Sequence, residues 1–157
     1  MKFLLSLILT VLFALGDEPE EHPKLPLQQS LPYLRSIEHN AIIMGEGAIK
    51  VYVFIDPNCP NSRNFISLID ENGKMRSKYT YCFFLYELKR FHSSELIAKI
   101  YSSSHPLETL KRVMIHDEIP SNESNPAVLD KISQIAKVAE KLDVYKRPYI
   151  IMVKRES

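Results

Sequence analysis

The chain has almost no excess charge of either sign: 20 Lys and Arg face 19 Asp and Glu, and the two counts are equal once Lys2 is set aside. A neutral surface has no field to draw in nucleic acid or an anionic membrane, so no nucleic-acid partner is expected. The aromatic run at residues 79–86 lacks a basic stripe beside it, which argues against a base-stacking platform. Long apolar stretches are missing too. The longest, residues 3–15, falls short of the roughly 20 residues that span a bilayer, so no stable membrane anchor is expected. The histidines (His22, His39, His92, His105, His116) show no ligand spacing, and His116-Asp117-Glu118 reads as a solvated helix end before Pro120. No metal and no cofactor is expected. Cysteine is scarce: Cys59 and Cys82 are either one disulfide or two free thiols.

The N-terminus carries a secretory pattern. Lys2 supplies a positive start, residues 3–15 an apolar core, and Ala14-Leu15-Gly16 a small-x-small cleavage site, so residues 1–16 read as a signal peptide. An uncleaved anchor is the competing reading, weakened by the short apolar run. Cleavage predicts a periplasmic or secreted protein beginning near Asp17, with its thiols in an oxidising compartment. Residues 17–29 (DEPEEHPKLPLQQ) lack apolar periodicity and read as a flexible leader, and residues 30–39 as a short helix. Together, residues 17–40 precede one domain over residues 41–157.

Within that domain, Ala41-Ile42-Ile43-Met44, the Gly45-Glu46-Gly47 turn and residues 48–55 predict a hairpin. Residues 51–55 are apolar at every position, as suits a strand covered on both faces. Phe65, Leu68 and Ile69 recur at helical spacing, and Asn72-Gly73 reads as a left-handed stop. Residues 79–88 predict a second, parallel strand, and residues 94–103 and 107–115 two helices. A longer helix follows Asn125 as cap and Pro126, with Val128, Leu129, Ile132, Ile135, Ala136, Ala139 and Leu142 as its apolar stripe. Residues 149–153 form a strand opened by Pro148.

Chemistry concentrates where the first long strand hands over to a helix, in residues 51–62 (VYVFIDPNCPNS). With Asn58 as cap and Pro60 in the first turn, Cys59 sits at a helix N-terminus, whose unpaired N–H groups and dipole favour a thiolate. The thiolate is the form that attacks disulfides. Arg63, one turn on, is placed to add positive charge. Cys82 lies mid-strand, about 13 Å short of the sheet edge at roughly 3.3 Å per residue. A disulfide tolerates Cα separations of only about 4.4 to 6.8 Å. Cys82 therefore reads as a buried small hydrophobe and Cys59 as a free thiol. Asn122-Glu123-Ser124 matches a glycosylation acceptor. Ser62 has no histidine and aspartate arrangement to make it a serine nucleophile.

The strand, turn and helix around Phe54-Ile55-Asp56-Pro57-Asn58-Cys59-Pro60 resemble the active-site segment of the thioredoxin superfamily, and most closely the catalytic domain of bacterial periplasmic disulfide isomerases. The resemblance covers residues 41–153. It implies an α/β, thioredoxin-like fold with a helical insertion, lacking the usual last strand and helix, and it leaves the sheet edge at residues 149–153 bare or paired with the leader or another chain. It also implies that Pro148 is cis and that its loop lies against Cys59, lining a substrate groove with Pro60, Asn61 and Arg147. Arg147 stands where the isomerases carry a small or β-branched residue, and is expected to favour the thiolate while narrowing the groove.

One departure decides the chemistry: the family's second cysteine, three residues after the first, is Ser62 here. A hydroxyl cannot expel a mixed disulfide, but it can donate a hydrogen bond to the thiolate. A two-thiol cycle is thus excluded at this site, and single-thiol exchange or isomerisation of exported proteins remains. Cys59 is its nucleophile and Ser62 its assistant, and the substrates are exported proteins, with a redox partner keeping Cys59 reduced. The alternative is a catalytically inactive thioredoxin-like scaffold that binds a partner peptide in the same groove.

Overall fold

The computed structural model describes His22 and residues 24–153. The expected signal peptide, residues 1–16, lies outside the described residues. Four strands, β1 (Ile42–Met44), β2 (Ile49–Ile55), β3 (Tyr79–Leu85) and β4 (Tyr149–Met152), form one sheet in the order β1-β3-β2-β4. β2 and β3 are parallel, while β1 runs antiparallel to β3 and β4 antiparallel to β2. The continuous apolar run of β2 has its predicted consequence: residues 51–55 are all buried, as are residues 81–85 of β3 beside them.

The helices are α1 (Leu27–Ser36), α2 (Pro60–Glu71), α3 (Gly73–Lys78), α4 (Ser94–Ser102), α5 (Pro106–His116) and α6 (Val128–Lys141). α2 and α3 make the crossover between the parallel strands, and α4, α5 and α6 fill the interval between β3 and β4, where the helical insertion was expected. The α2 stripe is Ser62, Ile66 and Ile69, with Phe65 meeting Tyr81 and Phe83 edge-on at 6.1 and 6.5 Å. Val53, Phe54, Ile55, Phe83, Phe84, Ile100 and Ile135 are wholly enclosed in a single core.

Several local expectations need correction. The hairpin is not formed, because β3 lies between β1 and β2. Gly45 and Gly47 carry the connection tightly across the start of β3: a Cβ on Gly45, whose φ is +88°, would lie 2.3 Å from the Tyr79 carbonyl oxygen, and one on Gly47 1.9 Å from the Lys78 carbonyl carbon. Those glycines serve close approach rather than a two-strand turn. Asn72-Gly73 is no left-handed stop either, since Asn72 caps α3, its Oδ1 accepting from the Met75 N–H at 3.1 Å. The second strand ends at Leu85, and Leu68 and Leu129 face outward. Ala127 rather than Asn125 immediately precedes α6, while Asn125 Oδ1 accepts from the Ala127 N–H at 2.9 Å.

The described residues of the expected leader are not a flexible segment. Leu27, Gln28 and Gln29 belong to α1, Leu34 and Ile37 are core residues, and Leu25 packs against that core. His22 stacks on Tyr145 with ring centroids 3.9 Å apart, and Lys24 lies over the Tyr149 ring. Among the described residues, β4 pairs only with β2 and forms one edge of the sheet.

Candidate active site

The parallel strands β2 and β3 end together, Ile55 opposite Leu85, and β4 begins beside them with Tyr149 opposite Phe54. Three connections therefore converge at this end of the sheet: the turn from β2 to α2, the segment from β3 to α4, and the loop into β4. The carboxyl ends of parallel strands are where open α/β sheets place their ligand sites.

The first turn is built around Asp56, which is fully buried. Its Oδ1 accepts from the Asn58 N–H at 2.8 Å and its Oδ2 from the Leu88 N–H at 2.7 Å. One carboxylate thus sets the turn before Cys59 and ties it to the β3–α4 connection, which Asn58 reinforces by donating from its side chain to the Phe91 carbonyl at 3.2 Å. Sequence reasoning passed over Asp56. The signal was present, because Asp followed two positions later by a free N–H is the pattern of an Asx turn.

Cys59 itself, not Asn58, is the cap of α2, and Pro60 occupies the first turn. The sulfur makes no capping hydrogen bond. Its S–H is directed at the carbonyl oxygen of Arg147, 3.8 Å away, and Cys59 is only 2% exposed. Pro60 and Asn61 beside it are exposed. The Arg147–Pro148 peptide is cis, and its loop lies against the cysteine. The structure thus brings Cys59, Arg147 and Pro148 together. Cys59 and Cys82 are both free.

The remaining polar residues depart from expectation. Ser62 is fully buried, and its Oγ accepts from the Asp56 N–H at 3.3 Å. Among the described residues no hydrogen bond joins it to Cys59, because the strand-end N–H draws the hydroxyl instead. Arg63 is drawn away as well, donating to the Pro57 carbonyl at 2.7 Å and pairing with Asp117 at 2.6 Å. Arg147 does not project into a groove: its side chain is buried and donates to four backbone carbonyls, those of Tyr86, Glu87, Val144 and Lys146. Burial pulls its pKa down to about 10, against the opposing charges of Tyr86, Asp56 and Cys59, which favour the guanidinium form.

Cys82 is enclosed between Tyr52 on β2 and Ile43 on β1. Burial pushes its thiol up from 9.0 to about 11, the Glu38 carboxylate adding to the effect and Lys50 opposing it. It stands three rungs back from Leu85, about 10 Å from the sheet end that carries Cys59 at roughly 3.3 Å per residue.

No protein-family model matches the sequence, and no curated protein is similar to it in sequence. Solved structures are similar in fold. A disulfide interchange protein from Neisseria gonorrhoeae superposes with a TM-score of 0.59 at 17% identity, over 73% of this chain and 80% of that one. The catalytic domain of Proteus mirabilis ScsC gives 0.58 at 13% identity, over 80% and 85%. Helicobacter pylori DsbG gives 0.55 at 16% identity, over 80% and 63%. The chain shares the thioredoxin-like fold of these structures, with Cys59 and Ser62 where β2 hands over to α2.

Proposed function

We propose that the protein performs single-thiol disulfide exchange on exported proteins, with Cys59 as the nucleophile. The observation that carries this reading is the placement of Cys59 Sγ at the cap of α2, 3.8 Å from the carbonyl of Arg147 in the loop that ends at Pro148. Once deprotonated, the Cys59 sulfur attacks one sulfur of a wrongly paired disulfide. That S–S bond breaks: one client sulfur is released as a thiolate, and the other stays bonded to Cys59 as a mixed disulfide that tethers the client. A second client thiolate then attacks the client sulfur of the mixed disulfide, forms the new bond and returns Cys59 as a thiolate. Electrons balance within the client, so the cycle needs only that Cys59 start reduced, which is the task of a redox partner.

Ser62 fills the place of a resolving thiol without its chemistry. Pro60, Asn61 and Pro148 flank the sulfur and form the surface against which a client segment lies. Export follows from the signal pattern at residues 1–16, and no helix among the described residues is long and apolar enough to cross a membrane.

A second reading has one observation in its favour: at 2% exposure, Cys59 is as hidden as a structural cysteine, which suits a scaffold that binds a peptide without reacting. A scrambled-disulfide substrate separates the two. Wild type and Cys82→Ala are expected to accelerate recovery of the native pairing, with Cys59→Ala falling to the rate seen without protein. Equal recovery with wild type and Cys59→Ala ends the exchange reading and leaves the scaffold.

A further inference from the structure

We propose that Arg147 is a latch that holds the loop before β4 shut over Cys59, so that a client reaches the sulfur only after this loop opens. The consequence for clients rests on the exchange reading above, whereas the latch itself is testable without it.

The guanidinium acts as a cross-link. Nη1 donates to Val144 and Lys146 at 3.0 and 2.9 Å, both within its own loop. Nε donates to Tyr86 at 2.8 Å and Nη2 to Glu87 at 3.2 Å, both in the segment leaving β3. The plane also lies over the Tyr86 ring, 4.3 Å from its centroid. The β3 segment is in turn fastened to the Cys59 turn through Asp56 and Leu88. The loop before β4 and the segment leaving β3 are thereby joined through one side chain, and the backbone of that same residue supplies the carbonyl that meets Sγ. This arrangement accounts for a cysteine that is 2% exposed beside an exposed Pro60 and Asn61.

The latch is also built to open. Among the described residues Arg147 has no carboxylate within ion-pair distance, and its partners are neutral carbonyls. Burying a full charge is costly, and these hydrogen bonds offset that cost only while the loop is closed. Swinging the guanidinium into water restores its hydration, and water can take over the four carbonyls. A contact ion pair would strand a second charge on opening, whereas the groups this cross-link releases are neutral carbonyls, Asp56 acting on Arg147 only from beyond ion-pair distance. A cationic side chain that turns inward thus controls access, rather than contacting the client in the groove.

The test is the rate at which a maleimide modifies each cysteine of the full chain under native conditions, read by peptide mass. Arg147→Ala is expected to speed Cys59 labelling roughly tenfold or more, as for the loss of a charge-assisted hydrogen bond, and to leave Cys82 far slower. Arg147→Lys falls between, because one ammonium cannot span the four acceptors. An unchanged Cys59 rate in Arg147→Ala, or a rise shared equally by Cys82, overturns the latch. Should that variant fail to fold, wild type in low urea serves. Cys59 labelling that is flat with urea while Cys82 labelling climbs supports local opening, and parallel slopes contradict it. Failure of the exchange reading looks different: the two cysteines still label separately, but the scrambled substrate is not recovered.

Discussion

Cys59 at 2% and Cys82 at 1% exposure are hidden to the same degree, yet the walls around them are unlike. Cys82 lies mid-strand inside the sheet, in register with Tyr52 and Ile43, and is part of the single buried core, so uncovering it means opening that core. Cys59 is covered by a loop, held by hydrogen bonds to carbonyls that water can replace. The comparison teaches that exposure alone does not grade a thiol. What matters is whether the covering element can move without unfolding the core.

The comparison breaks most severely at Asp56. Asp56→Ala leaves two part-buried N–H groups, on Asn58 and Leu88, without their acceptor, and is expected to cost about 3 kcal/mol in urea unfolding. A loss below about 1 kcal/mol means the carboxylate does not organise the turn. Next is alkaline stability. The folded chain holds the Cys82 thiol near 11 against 9.0 in an open chain, so its neutral form stabilises the fold fully below pH 9. That contribution is lost between pH 9 and 11, as the unfolded thiol ionises and the folded one resists, and amounts to on the order of 2 kcal/mol. Melting wild type beside Cys82→Ala across that range should show wild type losing more; parallel curves contradict it. The smallest effect belongs to Ser62→Ala, which removes only the acceptor for the Asp56 N–H and should cost about 1 kcal/mol while leaving exchange nearly intact. Loss of exchange with stability preserved would instead give Ser62 a direct role at the sulfur.

Much of this arrangement is legible in the chain itself. An unbroken apolar run ending at Asp56, then Cys59 and Pro60, specifies strand, turn and helix because each signal is local. Elsewhere the same residue types carry a different instruction. Gly45 and Gly47 look like turn residues, but their task is to let one backbone pass another, which depends on where β3 lies. Asn72 looks like a stop and serves as a start, since its side chain finds the Met75 N–H. Arg147 reads as a cation lining the groove beside Cys59. It turns inward because four carbonyls from two separate segments meet around it, and no spacing in the sequence brings residues 86–87 to residues 144–146.

The most direct measurement of the central claim is to trap the attack itself. Wild type, Cys59→Ala and Cys82→Ala are each mixed with a scrambled-disulfide protein, quenched with acid, and mapped for mixed disulfides by peptide mass. An adduct on Cys59, retained in Cys82→Ala and missing from Cys59→Ala, is the predicted result. An adduct on Cys82, or none with any of the three proteins, contradicts the assignment of Cys59 as the nucleophile.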